Sequence, residues 1–523
     1  MRRNLLGTIL FSFLYILMLA AEAAAVLAVI RLDMLPVAYL VGIVLVLALF
    51  SCGIGMLLFY RGRYERKGKK ILGCVLAVVL LCGSAAIATV AHDVVKTIEA
   101  TSQEEPQIHT REIYVLTDCQ AQELADTVGY TFGYVKNFDE AATRQVLEQL
   151  QTQVSGNYVT AGYTNLFAMA NALLNEQIDA MILNGGYIDI LDETEEFMGF
   201  SEKVRILTQF PVDEAAELEV PLQQQEQLPE EPQVTEATEP VATEPPQVET
   251  QDFTKLKPFL VYVSGSDSHT EMLSSGRSDV NILAAVNPMT KQILLINTPR
   301  DYYVSNTAGR GAKDKLTHCG LYGISCSMNT LGNLYEETVE YYVQVNFTGF
   351  KKLIDAMGGI TVYSDYAFTA ITRTDIKQGE NHLTGQQALD FARERYTLRG
   401  GDNDRGKHQM QVIEAVIKKA TSGTTILSNY SDIMASVEGM FTMNVPAELI
   451  SSLMKMQLSD MAQWNIVTYS AAGNNAFAEC YSLPGMELSV IEPSMNSVSK
   501  AVRLIDMVFS GELLTEELVN SIS

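Results

Sequence analysis

The sequence predicts an α/β protein carried behind three membrane-spanning helices. Three observations predict it. Apolar runs, each as long as a bilayer is thick, fill residues 1–91. Strand and helix signals alternate through residues 110–212. Strands and amphipathic helices recur from Lys257 to Ala420. The 523 residues suffice for two or three domains. Asp and Glu outnumber Lys and Arg 62 to 37, a net charge of −25, yet mean hydropathy is +0.09. Acidity and apolarity are therefore segregated along the chain.

Leu5 to Ile30, Leu35 to Tyr60 and Ile71 to Ala91 each reach the roughly 20 residues that span a bilayer. Glu22 is the one acid within the first run and reads as a tolerated group near a span end. Basic residues cluster at Arg2 and Arg3 and again from Arg61 to Lys70, whereas the turn Arg31-Leu32-Asp33 is neutral. The positive-inside rule puts the N-terminus and the 61–70 loop in the cytoplasm and everything after Ala91 outside. A cleaved signal peptide would explain the first run but not the next two. Residues 1–91 hold nine basic and three acidic groups, so the remainder carries −31. That charge excludes a nucleic-acid binder, which needs basic surface to displace counterions from phosphate.

Between about Asp213 and Asp252 the chain is Glu, Gln, Pro and Thr with no Lys or Arg. Such a stretch cannot bury enough apolar surface to offset its ordering entropy and reads as a solvated tether. Before it, strand signals at 113–116, 158–161 and 180–183 alternate with helix signals at 141–153 and 166–174. This small domain distantly resembles one lobe of a periplasmic solute-binding domain. The resulting limits are 1–91 for the spans, 92–212 for an extracellular accessory domain, 213–252 for the linker and 253–523 for the second α/β domain.

That second domain carries the chemistry. Strand Phe259 to Val263 leads to Gly265-Ser266-Asp267, strand Val280 to Val286 follows Arg277-Ser278-Asp279, and strand Gln292 to Ile296 leads to Pro299-Arg300-Asp301. In an antiparallel meander Asp267, Asp279 and Arg300 fall at one edge. Two carboxylates suit a hard cation such as magnesium, and a guanidinium forks onto phosphate. The spacing alone is also met by a solvated loop with a surface ion pair. Further on, a helix is expected to end near Phe391, leaving Arg393 and Arg395 on one face of an extended segment. Gly400 to Gly406 reads as a loop entering a helix at Gln409. Its free amides would suit an anion, although charged loops before helices are commonplace.

Seven cysteines are present. Cys52, Cys74 and Cys82 lie in the spans. Cys319 and Cys326 stand seven apart with Gly320 and Gly323 between them. A bridge is possible if the chain bends there; on one straight helix they would be about 10 Å apart, too far to bridge. The six histidines show no zinc spacing.

Together with Lys315-Leu316-Thr317-His318, Val345-Asn346-Phe347, Gly358-Gly359-Ile360, Arg393-Glu394-Arg395 and Asp404-Arg405 with Gln409, these pieces resemble the LytR-CpsA-Psr family. The resemblance covers Lys257 to Ala420, with a weaker tail to the C-terminus. The three-span start and extra domain look most like the streptococcal capsule-associated members. The resemblance implies an α/β/α sandwich with a mixed central sheet and an apolar tunnel for a lipid. It implies a magnesium-dependent phosphotransferase, manganese being the alternative ion. The enzyme would move a capsular or teichoic-acid-like glycopolymer from a polyprenyl (undecaprenyl) diphosphate carrier to peptidoglycan at the outer face of a Gram-positive type membrane. By motif, Asp267 and Asp279 would hold the metal, and Arg300, Arg393, Arg395 and Arg405 would bind the diphosphate with support from Arg277 and Gln409. Asp279 is also the candidate to take the proton of the attacking hydroxyl. His269 and Lys407-His408 depart from a more basic family pattern. A solute-sensing receptor and a membrane-bound regulator of envelope biogenesis are the alternative readings.

Overall fold

A polar side chain in hydrocarbon must find its partner inside the helix bundle. The first three helices, α1 (Arg2–Leu32), α2 (Val37–Phe59) and α3 (Lys67–Ser102), obey this. Glu22 is buried, and both its oxygens accept from Ser51 Oγ at 2.7 Å. Tyr15 donates to the Ser51 carbonyl at 3.0 Å. The computed structural model describes residues 2–59, 67–102, 109–136, 140–154, 158–192, 194–212, 256–266, 276–422, 433, 435–437 and 439–522. Among the described residues, three stretches are long and apolar enough to cross a membrane: Thr8–Leu32, Val37–Phe59 and Gly68–Lys96. Helix α3 continues without a break past residue 91 to Ser102. At 36 residues it is about 54 Å long, against roughly 30 Å of hydrocarbon.

The chain divides into two compact units, Ile108–Lys255 and the remainder. In the smaller unit, β1 (His109–Leu116), β2 (Thr131–Val135), β3 (Val159–Tyr163), β4 (Ala180–Leu183) and β5 (Val204–Val212) form one mixed sheet ordered β3-β2-β4-β1-β5. Ile113, Val115, Phe132, Val146, Leu150 and Phe210 fill its core. Helix 166–174 starts where Asn165 accepts from the Ala168 amide at 2.8 Å. The helix and strand signals read for 113–183 all fall on such elements; β2 and β5 carried weaker alternation and went unread. The linker 213–252 lies outside the described residues.

In the larger unit, β6 (Phe259–Ser266), β7 (Ser278–Asn287) and β8 (Gln292–Asn297) make an antiparallel meander. Short pairs follow: β9 (Tyr303–Ser305) with β10 (Lys313–Lys315), and later β12 (Ile360–Ser364) with β15 (Gly379–Leu383) and β13 (Phe368–Thr369) with β14 (Asp375–Ile376). β11 (Tyr341–Asn346) runs parallel to β6, β16 (Phe441–Met443) antiparallel to β11, and β17 (Asn465–Ser470) parallel to β8. The mixed six-stranded order is β16-β11-β6-β7-β8-β17, and hairpin β18 (Gly473–Cys480)–β19 (Leu483–Pro493) follows it.

Both faces of this sheet are covered, as successive residues of a strand point to opposite sides. Leu260, Tyr262, Leu283, Ala285, Leu294 and Ile296 join helices 324–335 and 495–510 in one core. Their alternates Ile282, Ala284 and Leu295 are buried too, and helix 402–421 packs on β7, β8 and β17. The result is the expected α/β/α arrangement. Within this unit the turn after α1 meets residues 441–460. Met34 and Val94 pack with Phe441, Ala447, Ile450 and Met454, and Lys455 pairs with Asp33 at 2.6 Å.

Glycines mark close approaches. Gly320 lies in the turn that crosses the start of β7; a Cβ there would meet the Gly276 carbonyl and, at 2.9 Å, the Ser278 amide. Both are backbone atoms that cannot swing aside. Gly320 has ordinary helical φ, so a substitution tests the contact and not the backbone conformation. Gly320→Ala is expected to destabilise the protein by about 1–3 kcal/mol. Gly68→Ala, with nothing within 4 Å, should not. Chemical denaturation of the full chain in detergent measures both.

Candidate functional site at one edge of the central sheet

The site is built on a defect in the meander. Gly265 opposes Val280 but Ser266 opposes Ser278, which leaves Asp279 as the extra residue of a β-bulge. Bulges re-aim a side chain at a sheet edge. Only glycine fits at 265, where a Cβ would stand 2.7 Å from Val280 Cγ2. A buried network fixes the strand start beneath the bulge. The Tyr262 hydroxyl lies 2.6 Å from that of Ser278 and donates to Asn281 Oδ1 at 2.7 Å; the Ser264 and Ser278 hydroxyls are 2.8 Å apart. Burial pushes the Tyr262 phenol up to about 12, so it stays protonated.

The end of β8 meets this point. Thr298 N donates to the Asn281 carbonyl at 2.9 Å. Two residues on, Arg300 Nη1 donates to Asp279 Oδ1 at 2.7 Å, with side-chain exposures of 8% and 17%. The Thr317 hydroxyl reaches the same carboxylate oxygen at 3.3 Å, while the Thr317 amide donates to the Arg300 carbonyl at 2.8 Å. Lys315 Nζ pairs with Asp301 at 3.1 Å. An ion pair this shielded resists loss of either partner, because the remaining charge is left poorly solvated. Asp267 lies outside the described residues, as does His269; the chain leaves β6 at Ser266, opposite Ser278. Arg277, just before β7, is buried.

Arg393 and Arg395 each lie over an aromatic ring. β11 ends at Asn346, whose side chain caps the next helix by accepting from Gly349 N at 2.8 Å. Phe347 follows, and the Arg393 guanidinium lies over its ring at 4.3 Å. The helix expected to stop near Phe391 instead runs Gly385–Arg393. A capping box between Thr384 and Gln387 starts it, and Glu394 ends it in extended backbone. The buried Glu394 carboxylate accepts from the Ile371 amide at 2.6 Å and the Thr397 amide at 3.0 Å. Burial pulls its acidity down in strength, but those amides outweigh it and hold the carboxyl below its ordinary value. Arg395 lies over Tyr396 at 4.7 Å and donates to its hydroxyl at 3.0 Å. The two arginines thus rest on different rings and do not share one extended face.

The segment 402–406 is also corrected. It is the first turn of helix Asp402–Thr421, not a loop before Gln409. Gly401, at φ +56°, supplies the left-handed residue before the helix. Asp404 accepts from Gly400 N at 2.9 Å and from the Tyr366 hydroxyl at 2.8 Å. Burial raises the Asp404 pKa, but the Tyr366 and Gly400 hydrogen bonds and Lys407 bring it below its ordinary value. A carboxylate of the chain itself, that of Asp404, therefore meets the helix's positive end. Gly406 lets this helix touch the end of β8, since a Cβ there would meet Asn297 Nδ2. Arg405 and the buried Gln409, one turn apart, share the helix face.

His408 is a packing residue. Its ring stacks on Phe391 at 4.0 Å and Phe368 at 5.4 Å, with Nδ1 donating to the Phe391 carbonyl at 3.2 Å. Lys407 is exposed and pairs with Asp404 at 3.6 Å. Thr317, Phe347, Glu394 and Tyr396 were not singled out from the sequence, although the first three stand within matched motif pieces. The donors around this point suit magnesium or manganese: Asp279 is a hard oxygen ligand, and the Thr317 hydroxyl beside it is another oxygen donor.

The LytR_cpsA_psr family model matches residues 222–497, over half of the chain. A Bacillus mycoides (strain KBAB4) protein named polyisoprenyl-teichoic acid–peptidoglycan teichoic acid transferase TagU is 34% identical over 209 residues, 40% of this chain and 67% of that protein. The Enterococcus faecalis (strain ATCC 700802 / V583) protein of the same name is 37% identical over 183 residues, 35% of this chain and 59% of that protein. The chain thus spans about two thirds or less of these relatives. The crystal structure of B. subtilis TagV aligns over 49% of this chain and 98% of that one, at 25% identity and a TM-score of 0.41.

Desolvation lowers the His408 pKa from its ordinary value, so the fold favours neutral imidazole. The unfolded chain takes up a proton near the ordinary value while the fold resists it, so stability falls as pH drops through about 6.5. Thermal midpoints at about pH 7.5 and about pH 5.5 should differ less in His408→Leu than in the wild type. An undiminished drop in the variant would assign the pH dependence elsewhere.

Proposed function

The chain belongs to the LytR-CpsA-Psr family, and on that premise we propose that it is a membrane-anchored glycopolymer phosphotransferase. The glycopolymer, capsular or teichoic-acid-like, passes from a polyprenyl diphosphate lipid to a peptidoglycan hydroxyl, and polyprenyl phosphate leaves. The names of the TagU relatives support the transfer class. The observation that carries the reading is the meeting of Asp279 and Arg300 on the β-bulge at one sheet edge.

The chemistry asks little covalent work of the protein and much positioning of charge. Arg300, aimed by Asp279 and Thr317, lies against the diphosphate and offsets charge on the departing phosphate. Arg393, Arg395 and Arg405 bind the remaining oxygens, supported by Arg277 and Gln409. Phe347 and Tyr396 limit the freedom of two of these guanidinia, so less ordering remains to be done when substrate binds. Asp279, with Asp267 by motif, would hold magnesium, which when bound neutralises diphosphate charge as a Lewis acid. The lipid tail occupies an apolar tunnel in the same domain.

Orientation follows from charge. The cationic ends of the helices, Arg2 with Arg3 and Arg61 to Lys70, belong in the cytoplasm. The Asp33–Lys455 pair and the packing of Met34 on residues 447–454 put residues 441–460 beside the opposite ends. The large C-terminal part then works outside. A membrane-impermeant thiol reagent should label Thr235→Cys in intact cells and Gly68→Cys only after the membrane is opened. Labelling of the Gly68 variant in intact cells would invert the orientation.

Transfer is tested with a polyprenyl diphosphate-linked glycan and magnesium, following release of polyprenyl phosphate. Asp279→Ala and Arg300→Ala should each lower the rate roughly a hundred- to a thousand-fold, about 2.7–4 kcal/mol. Lys418→Ala, which removes an exposed ammonium paired with Glu414, should be near normal. Chelation of magnesium should abolish release. Near-normal turnover in folded Asp279 and Arg300 variants would remove this site from the reaction.

A further inference from the structure

Cys319 and Cys326 lie in the core of the larger unit, 0% and 7% exposed. On a continuous helix they would be about 10 Å apart, beyond the reach of a disulfide. The chain is not continuous there. Helix 316–319 gives way to a tight turn at 320–322, then to Gly323 at φ +90°, before helix 324–335 starts in a new direction. Only glycine adopts that φ readily. The break turns the chain at this corner, and both side chains lie in the one buried cluster.

The surroundings fit a reactive pair. Cys326 Sγ donates to Asn306 Oδ1 at 3.2 Å and accepts from the Thr307 hydroxyl at 3.4 Å. The hydrogen bond from Cys319 lowers the Cys326 pKa, and the same bond, with burial, raises that of Cys319. The corner is also mechanically placed: Thr317, two residues before Cys319, is the group that touches both Asp279 and the Arg300 carbonyl.

We propose that Cys319 and Cys326 form a modification site that closes to a disulfide and locks the corner carrying Thr317 against Asp279. This rests on the reading that residues 253–523 are outside the cell, where disulfides persist. The co-reactant is the disulfide of a thiol oxidoreductase, met before the core closes. The Cys326 thiolate attacks one sulfur of that disulfide, forming a mixed disulfide and releasing one partner thiolate. The Cys319 thiolate then displaces the second. One S–S bond forms and one breaks; two electrons pass to the partner's sulfurs, and the two protons lost by the pair end on its thiols.

One tryptic peptide, Leu316 to Lys351, contains both residues and no internal Lys or Arg. Full-length protein is alkylated with N-ethylmaleimide under denaturing conditions directly from cells. In parallel, intact cells are exposed to a glutamyl endopeptidase that cuts the acidic linker if it is outside. The expected peptide is unlabelled and lighter by two hydrogens, gaining two labels only after reduction, while Cys119 and Cys480 are labelled throughout. A doubly labelled peptide from cells whose linker is cut overturns the bridge and leaves the orientation standing. An uncut linker overturns the orientation instead. The bridge is then decided on detergent-purified protein refolded with glutathione disulfide: closure supports it, and double labelling sinks it.

Discussion

The ion pair between Arg300 and Asp279 is the constraint on which the rest of the site depends. It joins the end of β8 to a bulge at the start of β7, and each of its neighbours exists to hold it. Tyr262, Ser264, Ser278 and Asn281 fix the strand below the bulge. Thr317 fixes the carboxylate from the side, and its amide holds the Arg300 backbone. Gly265 and Gly320 are small because the strand and the turn crossing it leave no room for a Cβ. A guanidinium held this way has little left to reorganise when an anion arrives, and that preorganisation is what electrostatic catalysis requires.

The other candidate arginines are placed by different means. Arg393 and Arg395 are placed by rings, Arg405 by a helix that Gly406 allows to touch the end of β8. Cover on both faces of the sheet makes the edge the one place where strand ends can reach a ligand. The packing of residues 441–460 on the ends of α1 and α3 keeps this domain close to the membrane-spanning helices.

Much of this was legible in the sequence, for identifiable reasons. Membrane spans announce themselves by length and apolarity, and all three were read. The meander was legible because period and turn residues agreed, and antiparallel pairing alone then put Asp279 and Arg300 at one edge. Helix limits were less so. Glu394 ends a helix two residues late by capturing amides from Ile371 and Thr397, and Ile371 is remote in sequence. Asp404 was read as part of an anion-binding loop, whereas it helps start a helix; local composition does not separate those roles. His408 stands out in the sequence as a departure from a more basic pattern and is a ring in a stack with Phe391 and Phe368. The contact between Cys319 and Cys326 turned on whether Gly323 would break a helix, which spacing alone left open.

The central claim is that the bulge-and-arginine edge is where the diphosphate is held. The most direct measurement is a structure of the full chain with a short-chain polyprenyl diphosphate and magnesium. The account predicts phosphate oxygens within hydrogen-bond reach of the Arg300 guanidinium, with the metal bound beside Asp279. A diphosphate seated away from Arg300, with the Arg300–Asp279 pair untouched by ligand, would contradict it.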